Sequence, residues 1–132
     1  RGRGTMSDPA PFTPRPRVAR RHAPSFDAEN FLRELDVITH RVERVATVPV
    51  ETFSADCPEY DSACMVIIRL AALLERPEFE PHMEAVTQQE RLAIRTTRNI
   101  AAHTGYRSMN DDLFWRAVTQ RVPAILDRLR GR

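Results

Sequence analysis

Lysine is absent from this 132-residue chain: all 20 strongly basic side chains are arginine, alongside four histidines. GC-rich coding explains that more simply than selection for guanidinium chemistry, so the absence alone assigns no function. Cysteine is nearly as scarce. Cys57 and Cys64 stand seven residues apart in what reads as one helix, which separates their α-carbons by roughly 10 Å and excludes a disulfide between them. No four-ligand Cys/His spacing is present, so neither a structural zinc site nor a secreted disulfide framework is indicated, and no metal or cofactor is expected. Long apolar runs are missing too. The longest, about residues 63 to 74, is interrupted by Arg69 and is too short to span a bilayer. With no signal-peptide pattern, the expected location is cytoplasmic, without a membrane partner.

What is present is unevenly distributed. Five of the ten prolines lie in the first 24 residues. Residues 1–25 carry six Arg and one Asp, a balance of +5, whereas residues 26–132 carry 14 Arg against 17 acidic groups, a balance of −3. Overall charge therefore does not make the folded part a nucleic-acid binder. Contact with phosphate has to come from a local arginine cluster or from the tail. Residues 1–24 hold few apolar anchors and are expected to form a flexible Arg/Pro-rich tail, in which Arg1 to Thr5 fit an expression scar before Met6. Residues 25–132 are long enough for one helical domain with a single core.

Apolar periodicity predicts four amphipathic helices with short joints and no alternating strand pattern, an all-α bundle. The first starts near Ser25 or Asp27, carries Phe31, Leu32, Leu35, Ile38, Val42 and Val45 on one stripe, and ends before Pro49. A short helical turn near Val50 to Ser54 follows. Asp56 or Cys57 caps the second helix, with Pro58 in its first turn where a missing N–H does no harm. From Ala63 to Leu74 this helix is apolar almost all the way round. One small core cannot cover every face of it, so a homodimer through residues 63–74 and the third helix is expected. The competing expectation is that the loop from Arg76 to Met83, bearing Phe79, folds over the surplus face.

Thr87 and Glu90 form a capping-box pattern that opens the third helix. Its apolar residues are sparse, mainly Leu92, Ile94 and Ile100, while Arg91, Arg95 and Arg98 recur along one face. Gly105 reads as a left-handed cap just past His103. Asn110, Asp111 and Asp112 open the fourth helix, with Leu113, Ala117, Val118, Ile125, Leu126 and Leu129 inward and a bend at Pro123. Tyr60 and the aromatic pair Phe114 and Trp115 read as packing residues, and His22, His40 and His82 as surface or loop residues.

The segment that bears on chemistry is Arg98-Asn99-Ile100-Ala101-Ala102-His103, followed by Thr104-Gly105-Tyr106. Asn99 and His103 fall on one helical face, and Arg98 about 140° from His103. A long Arg side chain, a His at a helix end, or a partner subunit would have to bring Arg98 and His103 together. Their chemistry suits RNA cleavage by the ribose 2′-OH without a metal. An imidazole near neutral pKa moves the proton, and a permanent guanidinium charge stabilises the five-coordinate phosphate. The plainer account is a helix-end His that complements the dipole and an arginine face that is simply solvated.

The stretch RNIAAHTGYRSMNDDLFWRAVTQRVPAIL resembles the C-terminal half of the HepT-like toxins of the HEPN superfamily. Arg98, Asn99, His103, Tyr106, Trp115 and Val122-Pro123 stand where that family has its Arg, polar residue, His, Tyr, Trp and apolar-Pro pair. The resemblance is closest over residues 95–129. It implies a dimeric bundle of four to five helices with Arg98 and His103 of both chains at an interfacial cleft. It also implies an endoribonuclease restrained by a small nucleotidyltransferase (MNT-type) antitoxin, which in some members adds AMP to the Tyr. On that footing Arg98 and His103 are the expected catalytic residues, Asn99, Arg95, Arg91 and Tyr106 the RNA-binding set, and Tyr106 the modification site. Two features depart from the family pattern. Thr104 and Gly105 separate His103 from Tyr106 where one residue is usual, and Ala71-Ala72-Leu73-Leu74-Glu75 replaces an acidic Gly-Glu-Ala-type signature. The rival expectation is a non-catalytic HEPN module that binds a nucleotidyltransferase or another protein, and a third is DNA binding by the basic tail.

Overall fold

A computed structural model of the chain describes residues 24–103 and 109–131. The expectations for the N-terminal tail, His22, the Gly105 cap and Tyr106 lie outside these residues. Helices α1 (Pro24–Ala46), α2 (Pro58–Leu74) and α3 (Gln88–His103) are followed by α4 (Asp111–Arg116), which runs through a π-helical turn (Ala117–Arg121) into α5 (Val122–Leu129). Two 3-10 segments, Val50–Thr52 and Pro77–Ala85, link the first three. No strand occurs among the described residues, and none of their helices is long and apolar enough to cross a membrane.

α1 and α2 run antiparallel. Their connection joins the end of one to the start of the other, and Phe31 near the start of α1 meets Phe79 just beyond α2, with ring centroids 5.0 Å apart. α3 packs on α2, and the π turn and α5 close the bundle against α1. Phe31, Leu35, Ile38, Val42 and Val45 of α1 are all buried, as their i, i+3/i+4 spacing requires, but Leu32 is 46% exposed. On the last helix the inward register begins at Phe114 rather than Leu113, which is 64% exposed. Phe114 joins Phe53 and Tyr60 in an aromatic cluster, its ring 5.3 Å from Tyr60 and 5.9 Å from Phe53. The Trp115 indole N–H donates to the Val48 carbonyl at 2.8 Å and ties α4 to the α1–α2 connection.

The surplus apolar face of α2 is covered from within the chain. Ala63, Cys64, Val66, Ile67, Leu70, Ala71, Leu73 and Leu74 are buried, leaving Met65 and Ala72 exposed and Ile68 half-buried. Part of the cover is the Pro77–Ala85 segment, which buries Phe79 and Met83. Of the two expectations for that face, folding of the segment from Arg76 to Met83 over it is the one seen in the described residues. His82 belongs to the same cover rather than to the free surface: it stacks on Phe31 with centroids 4.0 Å apart. His40 is exposed, and neither cysteine is in a disulfide.

Proline and capping chemistry set the helix ends. Cys57 takes the N-cap position of α2 with Pro58 next, and its thiol makes no capping bond. At α3 the Thr87 N–H donates to Glu90 Oε1 at 2.9 Å and the Glu90 N–H donates to Thr87 Oγ1 at 3.0 Å, the reciprocal capping box. Asn110 Oδ1 accepts from the Leu113 N–H at 3.0 Å. Before Pro123 the chain widens into the π turn, where the Val122 N–H reaches back to the Ala117 carbonyl. That accommodates a ring that would otherwise collide with the preceding turn.

No charged side chain is buried among the described residues, and several ion pairs sit at the seams between helices. Arg69 of α2 grips Glu34 of α1 through two bonds of 2.8 and 2.9 Å. Arg130 meets Asp36 at 2.9 Å. Arg128 of α5 forks onto the Glu90 carboxylate and the Ala85 carbonyl. The Arg128 guanidinium, by hydrogen bonding, holds the Glu90 carboxyl below its usual value near 4.5. A carboxyl with a lowered folded pKa adds stability above its unfolded pKa, and that stability is lost as pH falls through the folded value. Glu90→Gln keeps the capping-box acceptor but removes the charge. The fall in melting temperature between pH 7 and pH 3 is therefore expected to be smaller in Glu90→Gln than in the parent, and identical falls would show that the pair carries no pH-dependent stability.

Candidate arginine site on the third helix

The capping box fixes the start of α3, and with it the rotational setting of every later residue on that helix. Arg91, Arg95 and Arg98 lie within about 60° of one another around the axis, and all three turn toward the C-terminal end of α2. Arg91 Nη2 donates to the Leu74 carbonyl at 3.3 Å. Arg98 Nη1 lies 3.4 Å from Glu75 Oε2, and Arg95 Nε lies 3.9 Å from the same oxygen. A helix C-terminus carries partial negative charge on its unpaired carbonyls. The three guanidiniums complement that charge, and this is a structural role for residues that spacing alone marks as a solvated face.

Asn99 supports the same group. Its Oδ1 accepts from Arg98 Nε at 3.3 Å, so Arg98 is restrained from two sides, by Asn99 and by Glu75. Its side chain is 27% exposed, against 53% for Arg95. His103 is the last residue of α3, which runs without a break from Gln88. The backbone of His103 is therefore about 7.5 Å further along the axis than that of Arg98 and about 140° around it. The structure thus gathers four of the sequence-derived site residues, Arg91, Arg95, Arg98 and Asn99. The His103 side chain and all of Tyr106 fall outside the described residues.

Electrostatically the cluster is unbalanced. Three guanidiniums face one carboxylate, in a domain whose overall balance is acidic over residues 26–132. Such a patch attracts an anion with several acceptor oxygens, and the planar fork of an arginine suits a phosphodiester. Among the described residues no three His, Cys, Asp or Glu side chains converge as metal ligands would.

Two features here escape sequence reasoning. One is Glu75, whose pairing with α3 needs the packing of α2 against α3 and leaves no signal in local spacing. The other is an apolar groove of about 370 Å³ between α3 and the last helix, lined in part by Ile67, Ala93, Ile94, Thr97 and Gln120. The only hint of the groove is Pro123, whose π turn contributes Ala117 and Arg121 to its wall. Leu92, one of the few apolar residues of α3, is 57% exposed. No family model matches this chain, and none of the curated proteins or solved structures compared with it does so either.

Proposed function

We propose that the protein is a metal-independent endoribonuclease, the toxin of a toxin–antitoxin pair, acting through Arg98 and His103. The observation that carries the reading is the arginine face of α3, an unbalanced cationic patch on the helix that ends at His103. The likeness of residues 95–129 to HepT-like HEPN toxins supplies the reaction class. In the reaction the ribose 2′-oxygen attacks phosphorus as its proton passes to the His103 imidazole. The P–O5′ bond then breaks, the leaving oxygen takes up a proton, and a 2′,3′-cyclic phosphate remains. Arg98 stabilises the charge that grows on the non-bridging oxygens. Asn99 holds the guanidinium, and Arg95 and Arg91 draw in the flanking phosphates.

The 140° between Arg98 and His103 along an unbroken helix favours a site completed across a homodimer, each chain lending the group the other lacks. α3, with its exposed Leu92, is the surface assigned to that contact. The cognate partner in this reading is a small MNT-type nucleotidyltransferase antitoxin, and Tyr106 its modification target. Replacement of His103 by alanine in a chain that remains folded and dimeric should abolish RNA cleavage, and full activity in that variant would sink the mechanism.

One observation favours a second reading. The arginines already serve the C-terminus of α2 and Glu75, as they would in a non-catalytic module that binds a protein partner. In that case partner binding survives the loss of both Arg98 and His103.

A further inference from the structure

We infer that Glu75 is a built-in competitor for the phosphate site: it holds Arg98 and Arg95 when no nucleic acid is bound and must release them for binding. The inference rests on the reading of this arginine face as the place where RNA phosphate sits.

The position of Glu75 argues for it. Glu75 is the C-cap residue of α2, directly after Leu74, and a carboxylate at a helix C-terminus is repelled by the partial negative charge there. Its placement is compensated only because α3 brings arginines to it. One oxygen, Oε2, serves both Arg98 Nη1 at 3.4 Å and Arg95 Nε at 3.9 Å. This is the two-arginine arrangement a phosphate oxygen would seek. The carboxylate is half-exposed, so it can swing into solvent without breaking core packing. Arg91 is held differently, by the Leu74 carbonyl, and does not depend on Glu75. An exposed pair of this kind is weak enough to exchange, which is what a resting contact needs and a permanent structural bridge does not. Glu75 is thus a positioning residue. It parks the two guanidiniums within reach of substrate and sets a threshold of phosphate density that a ligand has to exceed.

The test is fluorescence anisotropy of the full chain with a labelled single-stranded DNA oligonucleotide, which lacks the 2′-OH and so reports binding without cleavage. Glu75→Gln is expected to bind roughly two- to fivefold more tightly at low salt, the range an exposed ion pair can carry. The plot of log affinity against log salt is expected to steepen, because in the parent the freed Glu75 carboxylate takes up counterions that offset part of those released from the phosphates. Glu51→Gln is the charge-matched control. Glu51 is exposed on the 3-10 turn before α2, at the opposite end of that helix from Glu75, and its removal should leave the slope unchanged. In an Arg95→Ala/Arg98→Ala background, Glu75→Gln should no longer tighten binding. Equal affinities of the two Gln variants, or tightening that persists without the arginines, would overturn the competitor role. RNA cleavage is scored separately in EDTA. Its absence in every variant would count against the nuclease and leave the binding result to decide the role of Glu75.

Discussion

Cleavage of RNA by Arg98→Ala is expected to fall by about two to three orders of magnitude, the loss seen when one preorganised donor to a developing oxyanion is removed. Arg98→Lys should recover only part of it. Lysine keeps the charge, but it cannot hold Asn99 Oδ1 through Nε while presenting a second N–H to phosphate, as the Arg98 fork can. If guanidinium geometry matters, the lysine variant therefore remains well below the parent at saturating RNA, whereas simple charge attraction would be restored by it. Single-turnover rates beside binding constants separate the two, because loss of a transition-state contact lowers the rate while leaving affinity nearly unchanged. A fall confined to affinity would place Arg98 with Arg91 and Arg95 in the approach to the site.

Tyr60→Ala should be the most damaging single change to the fold. Tyr60 is fully buried, stacked on Phe53 with centroids 5.0 Å apart and edge-on to Phe114 at 5.3 Å. Truncating a buried aromatic of this size costs about 3–5 kcal/mol through lost transfer energy and the cavity left behind. In a domain of this length that is a drop of roughly 15 °C or more in melting temperature. Leu113→Ala, on the same bundle but 64% exposed, should stay within about 0.5 kcal/mol. Urea unfolding of the two variants distinguishes a core centred on the Phe53–Tyr60–Phe114 cluster from one centred on the Leu113 register. Similar stabilities would contradict the packing described above.

Much of the fold was legible because local chemistry decides it. The Thr87–Glu90 capping box, Pro58 in the first turn of α2 and Asn110 at the start of α4 rest on interactions within a few residues and stand where spacing predicts, as does the stripe from Phe31 to Val45 apart from Leu32. The misplacements have two separate causes. Pro77 and Pro81 make residues 77–85 read as an open loop, yet that segment winds into 3-10 helix and buries Phe79 and Met83 as part of the cover for α2. Periodicity within α2 leaves its surplus face open between a partner and this segment, and only tertiary packing brings Phe79 and Met83 onto it. On the last helix, Leu113 and Phe114 are neighbours with similar apolarity. Adjacent residues point about 100° apart on a helix, and Phe114 rather than Leu113 lies on the buried stripe that Val118 continues four residues later.

The site divides the same way. Arginine spacing along α3 was visible in the sequence because a helix surface is one-dimensional. The counter-charge at Glu75 was not, because it belongs to the end of a different helix and meets Arg95 and Arg98 only through tertiary packing. Groups that tune a site from a neighbouring element leave no period to read.

The central claim, metal-free cleavage of RNA through the 2′-OH, is tested most directly by incubating the wild-type protein with a defined RNA in excess EDTA and analysing the product ends. Cleavage is expected to leave 2′,3′-cyclic phosphates, and to be absent at a site where the attacking nucleotide is replaced by its 2′-deoxy counterpart. Cleavage that requires a divalent ion, or that proceeds at the 2′-deoxy position, would contradict it.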